Sequence, residues 1–198
     1  MMEVPAAALL AFAATPAGDA VANCEAHFFP TDQVQGFTSL GDYGLISDLL
    51  SGGPVPAEEM LAQIKADTQF EVATGLIERS GRLPGFRFIE HYEAVEFERT
   101  SARAGRLTAS LEPCYVEIVV NYISFSDSAI SKKKVGVHFV TRDFRERPEN
   151  PVIRRLGGAA LLAPHVELPA EPGSAPRIDF VGAYTEAFDA AIERFWRR

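Results

Sequence analysis

The run Glu90-His91-Tyr92-Glu93 places a histidine between carboxylates, and such a group can ligate a divalent cation or move a proton. On an extended segment His91 and Glu93 project from one face, with Glu90 close by. A third nitrogen or sulfur ligand is not evident at any spacing, so no metal is assigned and a solvated strand end is the plainer reading. His138 stands between Val137 and Phe139, on the opposite face of its strand, with Asp143 or Ser124 as candidate partners. Together Glu90, His91, Glu93 and His138 form the candidate catalytic set of a hydrolase. The set needs to converge in one cleft with perturbed proton affinities, and no G-x-S-x-G nucleophile elbow accompanies it. Glu96 and Glu98 share a face, roughly 6–7 Å apart along a strand. That spacing permits paired-carboxylate glycoside chemistry, but surface acids explain them more simply.

Lys132-Lys133-Lys134 is a compact basic run beside the polar stretch Ser126–Ser131, and is the candidate binding surface for an acidic partner or phosphate. Its plainer reading is protection of a strand edge. Gly52-Gly53 and Gly157-Gly158 lack the spacing of phosphate loops and read as turns. No cofactor is implied.

The two cysteines, Cys24 and Cys114, lie 90 positions apart, which is no metal-ligand spacing. One disulfide is the economical pairing if the compartment is oxidising. The start of the chain bears on this. An apolar run from Val4 to Ala17 leads to Ala20-Val21-Ala22, the apolar-then-A-x-A order that a signal peptidase cuts. Residues 1–22 therefore read as a cleaved signal peptide and 23–198 as a single domain, periplasmic or secreted. The basic flank usual before such a run is missing: only Glu3 precedes it. An Ala-rich helix packed on the domain is the competing reading. Asn23 stands where a lipidation site needs a small residue. No later apolar run reaches the ~20 residues of a membrane span.

The chain of 198 residues is long enough to bury a core, and 47% hydrophobic with 23% charged residues is ordinary for a globular protein. A net charge of -8 argues against nucleic acid and against anionic membrane surfaces.

Elements that could position these groups follow from periodicity. Cys24–Phe29 reads as a strand with Cys24, Ala26 and Phe28 on one face. Residues 30–56 read as irregular, apart from a short helix at Tyr43–Leu50. Pro56, Glu58 and Glu59 open a long helix with a stripe at Met60, Ile64, Val72 and Leu76, closed by Gly81. Thr68 and Gly75 are the expected places for a kink or break. Phe86–Glu90 is a second strand. The polar segment Ala94–Ala109 reads as partly helical. Cys114–Phe125 is apolar on both faces, with Val116, Ile118 and Val120 on one and Tyr115, Val119 and Ile123 on the other, which suggests a central strand. Val135–Val140 is its antiparallel partner. Residues 145–178 hold six of the thirteen prolines and read as a long excursion, with a strand edge at Pro151-Val152-Ile153 and a small apolar patch at Gly157–Leu162. A last helix begins after Asp179. This order predicts an α/β (α+β) two-layer sandwich: one mixed sheet of about four strands with helices on one face.

That order resembles the periplasmic α/β domain of the curli-secretion lipoprotein (CsgG-like) family and the amino-terminal domain of TolB-like proteins. The resembling stretch runs from the helix ending Leu76-Ile77-Glu78-Arg79-Ser80-Gly81 through the Phe86–His91 strand. It continues in the pair Tyr115–Phe125 and Lys134–Arg142 and the closing helix Phe180–Phe195. The resemblance implies a non-catalytic envelope protein that works through contacts, and supplies no catalytic residues. The expected function is therefore binding of an envelope protein or polymer. The alternatives are the hydrolase above and a small-molecule carrier with Phe28, Phe88 and Tyr122 around an apolar pocket.

Overall fold

The computed structural model describes residues 24–38, 57–95, 105–127, 133–167 and 177–196. The proposed signal segment, the helix at 43–50, Gly52, Gly53, Glu96, Glu98 and Lys132 lie outside them.

β1 (Glu25–Phe29) and β2 (Val34–Thr38) are followed by helices α1 (Ala57–Gln63) and α2 (Ala66–Ser80), then β3 (Arg87–Glu90). The long strands β4 (Tyr115–Asp127), β5 (Lys134–Asp143) and β6 (Val152–Leu161) come next. A two-strand pair, β7 (Val166–Glu167) with β8 (Arg177–Ile178), leads into α3 (Phe180–Trp196). The main sheet runs β3-β1-β4-β5-β6, with β2 paired to β4 beyond the end of β1. β1 is parallel to both β3 and β4, β2 is parallel to β4, and β4-β5 and β5-β6 are antiparallel.

The fold is mixed α/β as expected, but the sheet has six strands rather than about four. β2 escaped notice because Val34-Gln35-Gly36-Phe37-Thr38 lacks an apolar alternation. β6 reads only as a strand edge at its start, Val152-Ile153, because Arg154-Arg155 and Gly157-Gly158 hide its period. The Gly157-Gly158 pair is the middle of a strand, not a turn. Residues 145–178 thus contain the longest element between β5 and α3.

Cys24 and Cys114 are joined at a Cα separation of 4.5 Å. The bridge sits at the head of β1 and β4 and is followed directly by the pairs Glu25–Tyr115 and His27–Glu117. One side of the sheet shares an apolar core with the helices: Phe28, Val116, Ile118, Val120, Val137 and Phe139 pack with Leu76 and Ile77 of α2 and Tyr184 and Phe188 of α3. Ile123 also belongs to this core, contrary to its expected face. A bulge between Val120 and Tyr122 shifts the register by one residue and turns Ile123 inward.

The expected long helix is two helices. The break falls at Ile64-Lys65, not at Thr68 or Gly75, because Lys65 is extended. Gln69 seals it. Its buried carboxamide donates to the freed Ile64 carbonyl at 3.2 Å and to the Thr31 carbonyl at 2.7 Å, and accepts from the Thr31 N–H at 3.0 Å. The helix break is thereby tied to the chain break between β1 and β2. α2 ends at Gly81, whose φ of 64° suits glycine. Asp179 caps α3 by accepting from the Gly182 N–H at 2.9 Å.

α3 lies so close on β6 that a Cβ at Gly158 would meet the Ala187 carbonyl oxygen at 1.9 Å and the Ala191 nitrogen at 2.6 Å. Both are helix backbone and cannot turn aside. Gly158→Ala is expected to destabilise the fold by about 1–3 kcal/mol in denaturant unfolding. Gly157→Ala, whose Cβ meets the edge of the His138 ring at 3.1 Å and the Val137 carbonyl oxygen at an ordinary contact distance of 3.6 Å, should cost less. Equal losses would contradict the packing described.

Candidate functional site

The other side of the sheet carries polar residues at positions that alternate with the core. In β1 these are Glu25 and His27, in β4 Tyr115 and Glu117, and in β5 Arg142, and all five are buried. A buried polar group must find partners, and here the partners come from the sheet itself and from residues 105–110 beside it.

Glu117 and Arg142 are cross-strand neighbours joined at 2.5 Å, with neither side chain exposed. Glu117 Oε1 also accepts from the Leu107 N–H at 2.5 Å and the Tyr115 hydroxyl at 2.9 Å. Arg142 donates to the Gly105 carbonyl at 2.8 Å. Burial pushes the Glu117 carboxyl upward, and the Leu107 N–H, the Arg142 guanidinium and the Tyr115 hydroxyl oppose it. Burial also raises the Tyr115 phenol, so it stays protonated and free to donate. Thr108 lies 2.7 Å from that phenol, and the Arg106 guanidinium covers its ring at 4.4 Å.

A second group is centred on Glu25. The Ser110 hydroxyl donates to Glu25 Oε2 at 2.6 Å, His27 Nε2 lies 3.1 Å from the same oxygen, and Arg87 donates to Oε1. The Ser110 hydroxyl, followed by His27 and Arg87, holds the Glu25 carboxyl down at about 2 against the effect of burial. Glu25 is thus an acceptor only, so His27 Nε2–H donates to it. On its other side His27 Nδ1 shares a hydrogen bond with His91 Nε2 at 2.8 Å. The result is a line of hydrogen bonds, His91 to His27 to Glu25, with the His91 ring stacked on Phe29 at 4.3 Å.

The line ends at an open cleft of about 460 Å³, walled by Phe29, Glu90, His91, Tyr92, Glu93 and Thr108 among others. Glu90 turns a buried oxygen, Oε1, away from every described donor, while its other oxygen accepts from the Tyr92 hydroxyl at 3.0 Å. Burial, reinforced by His27, lowers the His91 pKa. At neutral pH His91 is therefore an uncharged, oriented imidazole, able to accept a hydrogen bond or a proton from a molecule in the cleft.

Three of the four candidate catalytic residues, Glu90, His91 and Glu93, line this one cleft. His138 does not join them. It lies three strands away, stacked on Tyr122 at 4.3 Å, and burial lowers its pKa. Of its proposed partners, Asp143 forks the Arg145 guanidinium at 2.6–3.1 Å, and Ser124 is paired across the strands with Gly136 rather than with His138. Among the described residues no three His, Cys, Asp or Glu side chains are placed to hold one metal ion. Lys133 and Lys134 stand at the start of β5.

Glu25, His27, Ser110, Glu117 and Arg142 were not singled out in the sequence. The signal was available in the bridge: pairing Cys24 with Cys114 sets E-x-H beside Y-x-E.

Phe28, Phe88 and Tyr122 do not line a common pocket. Phe28 is wholly buried in the core, Phe88 packs on its margin, and Tyr122 is on the opposite side of the sheet. The apolar cavity on the helix side is a different one of about 110 Å³, between Val116, Ile118, Phe139 and Leu156 of the sheet and Ile77 and Ile192 of the helices.

No protein-family model matches the chain, and no curated protein matches it. Among solved structures it is similar to the hypothetical protein CT253 from Chlamydia trachomatis, at 13% identity over 88% of this chain and 92% of that one, with a TM-score of 0.31.

The lowered His91 pKa has a pH consequence. A histidine that titrates below 6.5 in the folded chain binds its proton first in the unfolded chain, so its contribution is present above 6.5 and is lost as pH falls below it. Glu25 acts the same way lower down, its contribution present above 4.5 and lost as pH falls toward 2. Denaturant unfolding at pH 7.5 and pH 5.5 should show lower stability at pH 5.5. His91→Gln, whose amide can still donate to His27, should shrink the drop, and His138 should keep part of it. A drop of unchanged size in His91→Gln would contradict the assignment.

Proposed function

We propose that this chain is an exported envelope protein that acts by binding a protein or an envelope polymer and catalyses no reaction. The observation that carries the reading is the saturation of the polar side of the sheet. Glu25 takes donors from Ser110, His27 and Arg87, and Glu117 takes them from Tyr115, Leu107 and Arg142. A carboxylate held at about 2 by three donors is a weak base and gives up no proton near neutral pH. Such groups lock a surface in shape, which suits recognition.

Export is supported by the leader-like segment and by the Cys24–Cys114 bridge, since disulfides persist in oxidising compartments. No helix among the described residues is long and apolar enough to cross a membrane, in keeping with a periplasmic or secreted mature chain. We read the arrangement, with helices against one side of the mixed sheet, as a two-layer sandwich of the CsgG-like or TolB amino-terminal kind. The run Lys132, Lys133 and Lys134, whose last residue opens β5, is the basic contact for the partner.

In-cell crosslinking followed by recovery of the chain from its native host tests this reading. The expected product begins at Asn23, has both thiols blocked until reduction, and carries a crosslinked envelope component. Replacing all three lysines, Lys132→Glu, Lys133→Glu and Lys134→Glu, should remove the crosslink without lowering Tm. A full-length chain with free thiols would overturn export. Turnover of a chromogenic ester that His91→Gln abolishes would overturn the non-catalytic reading.

A further inference from the structure

β6 ends the described sheet: β5 pairs with one side of it, and no described strand pairs with the other. Ten residues of edge are long for a protein that avoids strand-to-strand association, since such edges are normally short, bulged or covered. β6 is regular along its whole pairing with β5, and its two ends present Val152 and Leu161, each more than a third exposed. The centre, Gly157 to Ala160, is small enough for another backbone to come close.

Two further observations say what this edge receives. The first is charge. Arg154 and Arg155 are adjacent and exposed, one on each side of the sheet, in a chain whose net charge is -8. Arg154 and Arg145 also flank Asp143 at the same end, and Glu146 acts on Arg145 as well, so the charge offered to a partner rests on the exposed Arg154–Arg155 pair. The second is the cavity of about 110 Å³. The edge strand itself supplies Val152, Arg154 and Leu156 to its wall, and its exposed lining residues, Val152, Arg145 and Arg154, place the mouth at this end of β6. Clefts that hold drug-sized ligands measure ~300–1,000 Å³, whereas an apolar cavity near ~150 Å³ accepts a molecule the size of benzene. The space suits one apolar side chain.

We infer that β6 is a docking strand for an extended, acidic segment of a partner protein, which adds to its outer edge and seats one apolar side chain in the cavity beside α3. The inference rests on the binding reading above and adds to it a second surface, at the end of β6 away from Lys134. Main-chain pairing supplies affinity and alternate side chains supply selectivity, as in other cases of strand addition. An apolar residue of the incoming strand on the helix side reaches the cavity, and acids one and two positions away meet Arg155 and Arg154 on opposite sides of the sheet.

The test is selection of a phage-displayed random octapeptide library against the full chain. Synthetic copies of the enriched peptides are then titrated by fluorescence anisotropy. The expected result is a consensus of one branched apolar residue flanked by Asp or Glu. Binding should weaken at least about tenfold in Arg154→Glu/Arg155→Glu and be lost in Leu156→Trp, which fills the cavity. The arginine variant, altered only at exposed positions, stays informative if Leu156→Trp fails to fold. Three results would overturn the inference: no enriched peptide, enriched peptides that bind the arginine variant equally well, or a wild-type dimer that this variant converts to monomer, which would assign the edge to a second copy. Each leaves the binding reading to its own crosslinking test, so the two can fail separately.

Discussion

The buried pair Glu117–Arg142 constrains the whole polar side of the sheet. Removing two charges from water costs several kcal/mol per ion, and only close geometry with added hydrogen bonds offsets that. The additional bonds come from the Leu107 N–H, the Gly105 carbonyl and the Tyr115 hydroxyl. Two of these belong to a segment with no regular secondary structure. Residues 105–110 are therefore held on the sheet because the ion pair beneath them requires cover. Once there, they carry Thr108 to the Tyr115 phenol and Ser110 to Glu25. Ser110 is the leading cause of the low Glu25 pKa, and Glu25 in turn orients the His27 ring, whose other nitrogen is bonded to His91. The wall of the cleft is thus several bonds removed from the pair but depends on it.

The helix side is organised by a different constraint, the coincidence of three irregularities. The chain leaves β1 at Pro30, α1 breaks from α2 at Ile64-Lys65, and β4 bulges between Val120 and Tyr122. The Thr31 hydroxyl donates to the Asn121 carbonyl at the bulge, and the Gln69 carboxamide joins Thr31 to Ile64. The Thr31 N–H and carbonyl, the Asn121 carbonyl and the Ile64 carbonyl, all at these irregularities, find their partners in these two side chains. The Cys24–Cys114 bridge at the other end of β1 holds the same two strands together, and β1 is pinned at both ends.

Long-period features were the readable part of the sequence. The β4 strand, its β5 partner, the Gly81 stop of α2 and the Asp179 cap of α3 each rest on a local pattern that tertiary context did not override. Features that depend on a neighbour were hidden. Ile123 faces the core only because of a bulge that no residue type announces. Gly158 looks like a turn residue until α3 is laid across it. Glu25, His27 and Arg142 look like ordinary surface polar residues in a strand, because alternation of polar with apolar residues usually means one wet side. Here that side is buried at β1, β4 and the Arg142 end of β5, although Arg155 of β6 stays exposed. The polar site was therefore invisible except through the disulfide, which fixes which strands lie together and in what register. In contrast Glu90, His91 and Glu93 share a cleft because they are contiguous, and His138 lies three strands from them, a distance that sequence does not carry.

The dependence of the polar side on one ion pair is open to direct test by native-state hydrogen exchange at the Leu107 amide. That N–H lies outside any helix or strand, and an ordinary loop amide exchanges through local opening of almost no cost. If it is held by the buried Glu117 carboxylate, its protection should approach that of the β4 amides and should fall selectively in Arg142→Met. Rapid exchange at Leu107, with β4 still protected, would mean that the segment over the sheet opens freely and that the ion pair does not hold it in place.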